Sequence, residues 1–273
     1  MRDLVVLVND CQSWGSHVRY AAGLAAKLHG SLTGIHVART AIPIPDVASP
    51  ALTTEIIEIY REEYERARRA EAPFRQWATD QGIRRNAWRL TDGPLSLALE
   101  SAAKWYDALV VEHDRDTSRE YAGDIGQILV RVDLPCFVVP AGIDAVRLDT
   151  IAIAWNGSSE SVRALRAALP LLRHAARTVL ICGQRNEPFA EPRWSPPIDI
   201  VEYLEWQSLR AERVNIGVDS EHAGATILAQ AERVSADLLV LGAYGRTRFS
   251  EWFLGGVTRH VLQHAALPLL MRH

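Results

Sequence analysis

The sequence predicts an α/β protein with two repeated, open, parallel five-stranded sheets, each flanked by helices in a Rossmann-like arrangement. Short apolar runs alternate with segments in which apolar residues recur every three or four positions. Strands that alternate with helices of this length are typical of βαβ units, which pair their strands in parallel. The same order of runs occurs twice within the 273 residues.

Composition and charge describe an ordinary globular chain. Hydrophobic residues make up 48% and charged residues 23% of the sequence, proportions that exclude a disordered protein. The net charge of −3 gives no general attraction to nucleic acid or to an anionic membrane, so we expect neither as a partner. We see no signal-peptide layout and no apolar run of the roughly 18 residues that cross a bilayer. Three isolated cysteines suit a reducing compartment, so we expect a cytoplasmic protein.

The first half of the chain begins with a strand at residues 4–8 that is apolar throughout, as expected when both faces of a strand are buried. A helix follows, with apolar residues at helical spacing from Val18 to Leu28, and Gly30 stands where a helix commonly ends. The other predicted elements are a strand (31–37), a proline-rich loop (40–50), a charged helix (53–81), a strand (86–90), a helix (95–106) and strands at 109–111 and 136–139.

After a linker at residues 140–148, the same pattern starts again with the run Ile-Ala-Ile-Ala-Trp-Asn at 151–156. The predicted elements are a strand (151–156), a helix from 158, a strand (178–182), a proline-rich loop (188–197), a strand (214–218), a helix (225–234), a strand (238–241), a helix ending near 266 and a strand (268–271). We interpret the chain as a tandem duplication, with one domain at 1–145 and a second at 146–273.

The strongest functional signal lies near the end of the second half. Gly242 and Gly245 follow an apolar strand, and Gly255 and Gly256 precede the last helix. Glycine lets backbone approach a ligand closely, and the free N–H groups at a helix N-terminus bind phosphates. A second interpretation is that these glycines only form tight turns, because glycine spacing alone is weak evidence.

In its spacing, the motif Gly242-x2-Gly245-x9-Gly255 resembles the nucleotide-binding signature of universal stress proteins, and with the repeat the whole chain resembles a tandem member of that family. The resemblance implies an adenine nucleotide as ligand, ATP or a relative, which Mg²⁺ can accompany. It also implies that the two domains pair within the chain through their last strands, residues 136–139 and 269–272, and that a homodimer is an option.

The resemblance further implies which residues contact the nucleotide, one set at the ribose and phosphates and one at the adenine. The ribose and phosphate set is Gly242, Gly245, Arg246, Gly255, Gly256, Val257 and Thr258, with Thr258 adding its hydroxyl and Arg246 its charge; the adenine set is Ala154, Trp155, Asn156 and Gly183. Two positions depart from the family pattern: Gly256 stands where Ser or Thr is usual, and Asn156 where Asp is usual. Asparagine keeps an acceptor and adds a donor, so this hypothesis retains adenine recognition.

The first half lacks the glycines of this motif. Alignment of the halves puts Glu112 at the position of Gly242, Arg115 at that of Gly245 and Ala122 at that of Gly255. Carboxylates at this place would repel phosphates, and a Cβ would block close approach. We therefore expect a nucleotide only in the C-terminal domain, with the N-terminal domain as a structural partner.

The sequence predicts neither a catalytic nor a metal site. His260 and His264 lie one helical turn apart but lack the glutamate of a zinc-protease motif, so we expect a solvated or helix-capping role for them. We expect a stress-response regulator that binds an adenine nucleotide, with at most slow ATP hydrolysis. The alternatives are an interaction protein of the same fold that binds no nucleotide, and an enzyme that uses the fold to activate a substrate.

Overall fold

A computed structural model describes residues 1–38, 50–113, 119–183, 198–217, 222–244 and 256–273 of the chain. The strands are β1 (Asp3–Leu7), β2 (Ser31–Ala38), β3 (Asn86–Asp92), β4 (Ala108–His113), β5 (Cys136–Pro140), β6 (Thr150–Trp155), β7 (Arg177–Cys182), β8 (Glu212–Asn215), β9 (Leu238–Gly242) and β10 (Leu269–Arg272). The helices are α1 (Ser16–Lys27), α2 (Pro50–Arg69), α3 (Glu71–Asp80), α4 (Leu95–Ala103), α5 (Arg119–Arg131), α6 (Ser159–Leu172), α7 (Ile200–Trp206), α8 (Ala223–Arg233) and α9 (Gly256–His264).

Contacts divide the described chain into two compact units. The first unit comprises Met1–Glu112, Arg131–Leu134 and Ala141–Val146, and the second comprises His113–Val130, Pro135–Pro140 and Arg147–His273. The predicted domains divide the chain by its sequence repeat instead, and that boundary after residue 145 stays a prediction.

The sheet of the first unit contains four parallel strands in the order β3-β2-β1-β4. The central strand β1 pairs on both sides, with Leu4 opposite Leu32 of β2 and Ala108 of β4. These three side chains are fully buried, as the apolar run in the sequence predicts for a strand covered on both faces. The parallel α/β class is confirmed in this unit.

The prediction of one charged helix over residues 53–81 is wrong in one respect. The segment forms two helices, α2 and α3, which are separated at Ala70. The cause is Pro73, whose ring nitrogen cannot donate a hydrogen bond and whose ring would collide with the carbonyl of Arg69 in a continuous helix. Proline is tolerated in the first turn of a helix, so α3 starts at Glu71 with Pro73 inside that turn.

The sheet of the second unit has the strand order β5-β10-β9-β6-β7-β8. The five strands β10, β9, β6, β7 and β8 pair in parallel with their neighbours. Strand β5 pairs with β10 in the antiparallel direction, with Leu269 opposite Val138 and Leu270 opposite Phe137. The strand pair implied by the family resemblance is therefore present. It makes this sheet six-stranded and covers the apolar edge that β10 would otherwise expose.

Three elements differ from the prediction. Helix α5 was not predicted between the strands at 109–111 and 136–139. Strand β8 begins at Glu212, two residues before the predicted strand over 214–218. Helix α7 was not predicted, because seven residues are too few to establish helical periodicity. It begins at a local signal, Asp199, whose Oδ1 accepts a hydrogen bond of 2.6 Å from the N–H of Val201. The loop expected at 188–197 and most of that at 40–50 lie outside the described residues.

An aromatic cluster in the first unit packs α3 against β2 and β3. The ring of Phe74 lies 5.3 Å from that of Trp14 and 5.2 Å from that of Trp88. Gly34 of β2 lies beneath the cluster, and a Cβ at this position would come within 2.8 Å of both Phe74 and Trp88. The absence of a side chain at residue 34 therefore allows the helix to pack on the sheet at this point.

We expect Gly34→Ala to lower the free energy of unfolding by about 1–3 kcal/mol, because the added methyl group overpacks a buried ring cluster. Urea unfolding followed by tryptophan fluorescence measures the change. Gly217→Ala is the matched control, since a Cβ there meets no heavy atom within 4 Å. Equal midpoints for Gly34→Ala and the control would contradict this account of the packing.

Candidate functional site

The carboxyl ends of three neighbouring strands form the candidate site in the second unit. In a parallel sheet these ends share one edge, where ligands of open α/β sheets bind. The strands β7, β6 and β9 are adjacent, so the residues that end or follow them, Gly183, Asn156 and Gly242, lie at the same edge. Ala154 and Trp155 occupy the last two positions of β6, opposite Ile181 and Cys182 of β7.

The backbone groups predicted to contact adenine are partly engaged in strand pairing. The N–H of Gly183 donates a hydrogen bond of 2.9 Å to the carbonyl of Trp155, and the carbonyl of Cys182 accepts one of 2.9 Å from Ile216. These bonds extend the β6–β7–β8 ladder by one residue. They leave the side chain of Asn156 as the polar group at the end of β6.

Asn156 has a structural task that the sequence did not indicate. Its Oδ1 accepts a hydrogen bond of 3.0 Å from the N–H of Ser158 across Gly157, whose φ is +78°. Ser158 then caps α6 by accepting a bond of 3.2 Å from Ser161. The oxygen that we expected Asn156 to keep as an acceptor for adenine thus already accepts one hydrogen bond at the start of a helix.

Gly242 ends β9 in direct contact with the N-terminus of α6. A Cβ on Gly242 would lie 2.7 Å from the carbonyl carbon and Cβ of Glu160, and 2.7 Å from the backbone nitrogen of Ser161. Distances this short to backbone atoms cannot be relieved by a side-chain rotation. The glycine is therefore required by the packing of α6 on β9, whether or not a ligand is bound.

Glu160 is a buried acid that sequence reasoning missed. Its side chain is 4% exposed, and its Oε1 pairs with Nη2 of Arg163 and accepts a bond from the hydroxyl of Ser159, both at 3.0 Å. A carboxylate in the first turn of a helix is stabilised by the free N–H groups there. The signal for it was present in the sequence as an acid two residues after a serine cap.

The N-terminus of α9 is attached to the end of β9. The N–H of Tyr244 donates a hydrogen bond of 3.2 Å to Oγ1 of Thr258, which is buried. Gly256, the first residue of α9, is exposed, and a Cβ there would meet no heavy atom within 4 Å. Val257 is half-buried. The predicted residues Gly245, Arg246 and Gly255 lie outside the described residues.

The hydroxyl of Thr258 is therefore engaged within the protein, while the backbone N–H groups of α9's first turn have no partner inside the helix, as at every helix N-terminus. Tyr244 itself has a left-handed backbone conformation, with φ +51°. Its hydroxyl approaches α5, where a Cβ on Gly126 would come within 2.6 Å of it. Burial raises the pKa of this phenol.

The corresponding edge of the first unit contains a close contact between a carboxylate and a buried histidine. Oε1 of Glu112 lies 3.3 Å from Nδ1 of the buried His17 and accepts a bond of 3.3 Å from the hydroxyl of Ser16. The other ring nitrogen of His17 lies 2.8 Å from the carbonyl of Leu7. His17 is the main cause that lowers the pKa of Glu112. A carboxylate thus occupies the place that Gly242 leaves bare in the second unit.

The two histidines of α9 stack on each other, with ring centroids 4.2 Å apart. Nδ1 of His264 lies 2.8 Å from the carbonyl of His260, a bond that satisfies a carbonyl in the last turn. Partial burial and the neighbouring His264 lower the pKa of His260. Across the described ranges, no group of three or more His, Cys, Asp or Glu side chains is arranged to hold a metal ion. In the same ranges, no helix is both long and apolar enough to traverse a lipid bilayer.

The family model that matches this chain and one similar relative name the same family. The model of the Universal stress protein family matches residues 148–273. A universal stress protein of Synechocystis sp. is 22% identical, over 92% of this chain and 92% of the relative. The crystal structure of a universal stress protein from Archaeoglobus fulgidus superposes with TM-score 0.70 at 14% identity, over 98% of this chain and 95% of that one. A Pseudomonas aeruginosa protein of unknown function superposes with TM-score 0.55 at 14% identity, over 100% and 92%. The solved structures share the fold.

We expect Glu112→Gln to lower the free energy of unfolding by about 1 kcal/mol at neutral pH, a modest value because the pair is partly exposed and screened. The pKa of Glu112 is lower in the folded chain than its ordinary 4.5. Its contribution is therefore present above the unfolded value and is lost as the pH falls through the folded one. Urea unfolding between neutral and acidic pH, with the exposed Glu100→Gln as control, tests this. A difference between wild type and Glu112→Gln that grows on acidification would contradict it.

We expect Gly242→Ala to lower the free energy of unfolding by about 1–3 kcal/mol, because the added methyl group collides with the backbone of Glu160 and Ser161. Gly256→Ala is the matched control: its Cβ enters open space and favours helix, so stability should stay equal or rise by less than about 1 kcal/mol. Thermal unfolding of both variants without added ligand gives the comparison. If Gly242→Ala is as stable as wild type, the close approach of α6 is not what requires this glycine.

Proposed function

We propose that this chain, which belongs to the universal stress protein family through residues 148–273, binds an adenine nucleotide in its C-terminal half and acts as a ligand-dependent regulator in a stress response. ATP or a close relative is the nucleotide, and the site is the carboxyl edge of β7, β6 and β9. The proposal combines the family's signature with the geometry of this edge.

The observation that carries the proposal is the attachment of α9 to the end of β9. The bond from Tyr244 to Thr258 holds the first turn of α9 at the edge where Gly242 ends its strand. That turn contains no acidic residue, and Gly256 leaves its approach open. A helix N-terminus without an internal carboxylate offers several backbone N–H groups and a partial positive charge to a phosphate.

The adenine would lie at the other end of the same edge, beside Asn156 and Gly183. Oδ1 of Asn156 already accepts a bond from Ser158, whereas its amide NH₂ has two donors, so we assign the contact with the base to the NH₂. Adenine ring nitrogens are acceptors, so a donating amide suits them. With asparagine in place of the family's usual aspartate, the side chain would donate a hydrogen bond to the base where an aspartate would accept one.

The first half is proposed not to bind a nucleotide in this manner. The carboxylate of Glu112, held by His17 and Ser16, lies where a phosphate would have to approach. Its lowered pKa keeps it charged at neutral pH, so it would repel the ligand. One nucleotide per chain is therefore the expected stoichiometry.

Regulation is proposed in preference to turnover. Phosphoryl transfer needs positioned phosphates and stabilised charge more than covalent help, so slow ATP hydrolysis is compatible with the site. When present, Mg²⁺ would neutralise phosphate charge. The described residues at this edge serve to bind and orient, through Asn156 and the first turn of α9.

We expect wild type to bind one equivalent of ATP, and Gly256→Asp to weaken binding by about a hundredfold or more. A carboxylate at the first position of α9 competes for the same N–H groups and repels the phosphates. Because a side chain at residue 256 enters open space, the variant should remain folded. Isothermal titration calorimetry of nucleotide-stripped protein with ATP, ADP and AMP gives the affinities and stoichiometry. Mass spectrometry identifies any nucleotide that is released on denaturation.

The matched control is Ala176→Asp. It adds the same charge immediately before β7, at the opposite edge of the sheet, on an exposed position. Binding that survives Gly256→Asp, or that is lost equally in both variants, would refute the assignment. Two equivalents per chain would refute the exclusion of the first half, and no binding of any nucleotide would favour the interaction protein.

A further inference from the structure

A groove in the first unit lies far along the chain from the glycine motif of the second half. It has a volume of about 690 Å³ and is formed by the end of α2, by α3 and by the segment that leads into β3. Strand β3 is the outermost strand of its sheet in this unit, so the groove follows the sheet edge. Its volume is within the range of about 300–1,000 Å³ that is typical of small-molecule sites.

Four arginines from three separate segments line this groove: Arg68 and Arg69 from the last turn of α2, Arg75 from α3, and Arg84 from the segment before β3. Among the described residues that line the groove, Glu71 is the single acid. The groove therefore has an excess of three positive charges on a chain whose formal net charge is −3. The groove is positively charged although the whole chain is negative, so its attraction for anions is local.

The arginine side chains keep most of their donors available. Arg68 and Arg75 have acidic neighbours on their own helices, but at 3.8 and 3.7 Å these contacts exceed hydrogen-bond length. For Arg69 and Arg84, no carboxylate lies within 4 Å in the part of the chain that the structure describes. Arginines at the end of α2 do suit the helix dipole, but Arg75 and Arg84 have no such reason to face the same groove.

The polar groups of the groove other than the arginines are held in place by internal bonds. The amide nitrogen of Asn86 donates to the carbonyl of Ile83 at 2.7 Å and to the hydroxyl of Thr79 at 3.1 Å. The same hydroxyl donates to the carbonyl of Arg75 at 2.8 Å. These bonds connect α3 with the start of β3, so the arginines project from a fixed base.

We propose that this groove is a second ligand site, for a small anion that carries several phosphate groups. Guanidinium groups bind phosphate oxygens through paired N–H donors, and three excess charges match a compact oligophosphate. The lining residues that the structure describes include no aromatic side chain on which bases could stack, and the groove is small for a nucleic-acid interface. A small phosphorylated ligand is therefore favoured over a nucleic-acid strand.

The test uses inorganic tripolyphosphate as the probe and full-length protein with Gly256→Asp as background. That substitution disables the proposed nucleotide site, so the two proposals can fail independently. We expect one equivalent to bind in this background. Adding Arg69→Ala and Arg84→Ala should weaken binding by at least about tenfold, since each removes a charge-assisted contact. Both residues are exposed, and thermal unfolding verifies that the variant is folded.

The matched control adds Arg61→Ala and Arg173→Ala to the same background. Both arginines are exposed and lie outside the groove, and the change in net charge is identical. Calorimetry at low salt should show a change of less than about twofold for this control. Three outcomes would overturn the proposal. They are an equal loss of affinity in both double variants, unchanged affinity in the variant with Arg69→Ala and Arg84→Ala, and no binding of tripolyphosphate in the Gly256→Asp background. A short DNA duplex that binds through Arg69 and Arg84 when tripolyphosphate does not would also overturn it, and would assign the groove to nucleic acid.

Discussion

The contact between Gly242 and the start of α6 is the constraint on which the candidate edge of the second unit depends. Because a Cβ at residue 242 would lie 2.7 Å from the backbone of α6, the helix can reach the strand only if the strand ends in glycine. This approach places the turn from Asn156 to Ser158 beside the end of β9. The bond between Tyr244 and Thr258 then brings α9 to the same place. The glycine that resembles a ligand contact is thus first a packing contact, whether or not a ligand is bound at this edge.

In the first unit the close approach of strand and helix is made possible by a glycine before the helix, and not by one at the end of the strand. There the strand ends in Glu112, and the bare position is Gly15 before α1, where a Cβ would lie 3.0 Å from the ring of His17 and 3.9 Å from Oε1 of Glu112. Each unit therefore has one carboxylate at the junction of strand and helix. It belongs to the strand in the first unit and to the helix, as Glu160, in the second. The exchange puts a charged side chain at the end of β4 in the first unit and a glycine at the end of β9 in the second.

The parallel α/β class and the positions of most elements followed from apolar runs and their spacing, because strands buried on both faces must be apolar throughout. Local features were predicted less well. The break before α3 depends on the single residue Pro73, and α7 on a cap at Asp199. The role of Gly242 could not be derived, since the sequence shows that a position is bare and not which atoms approach it. The pairing of β5 with β10 came from family resemblance, because no periodicity encodes contacts between distant edge strands.

The electrostatics of three helix N-termini, α1 in the first unit and α6 and α9 in the second, favour α9 as the place for the anion of the proposal. In α6 the first turn already contains Glu160, whose carboxylate offsets the partial charge of the free N–H groups. Helix α1 has no acid in its first turn, but Glu112 from β4 accepts a bond from Ser16 and serves the same purpose. The first turn of α9 has no acid, and its hydroxyl at Thr258 is directed to the backbone of Tyr244. Its N–H groups thus lack the carboxylate that the other two helices possess, and an external phosphate would take that place.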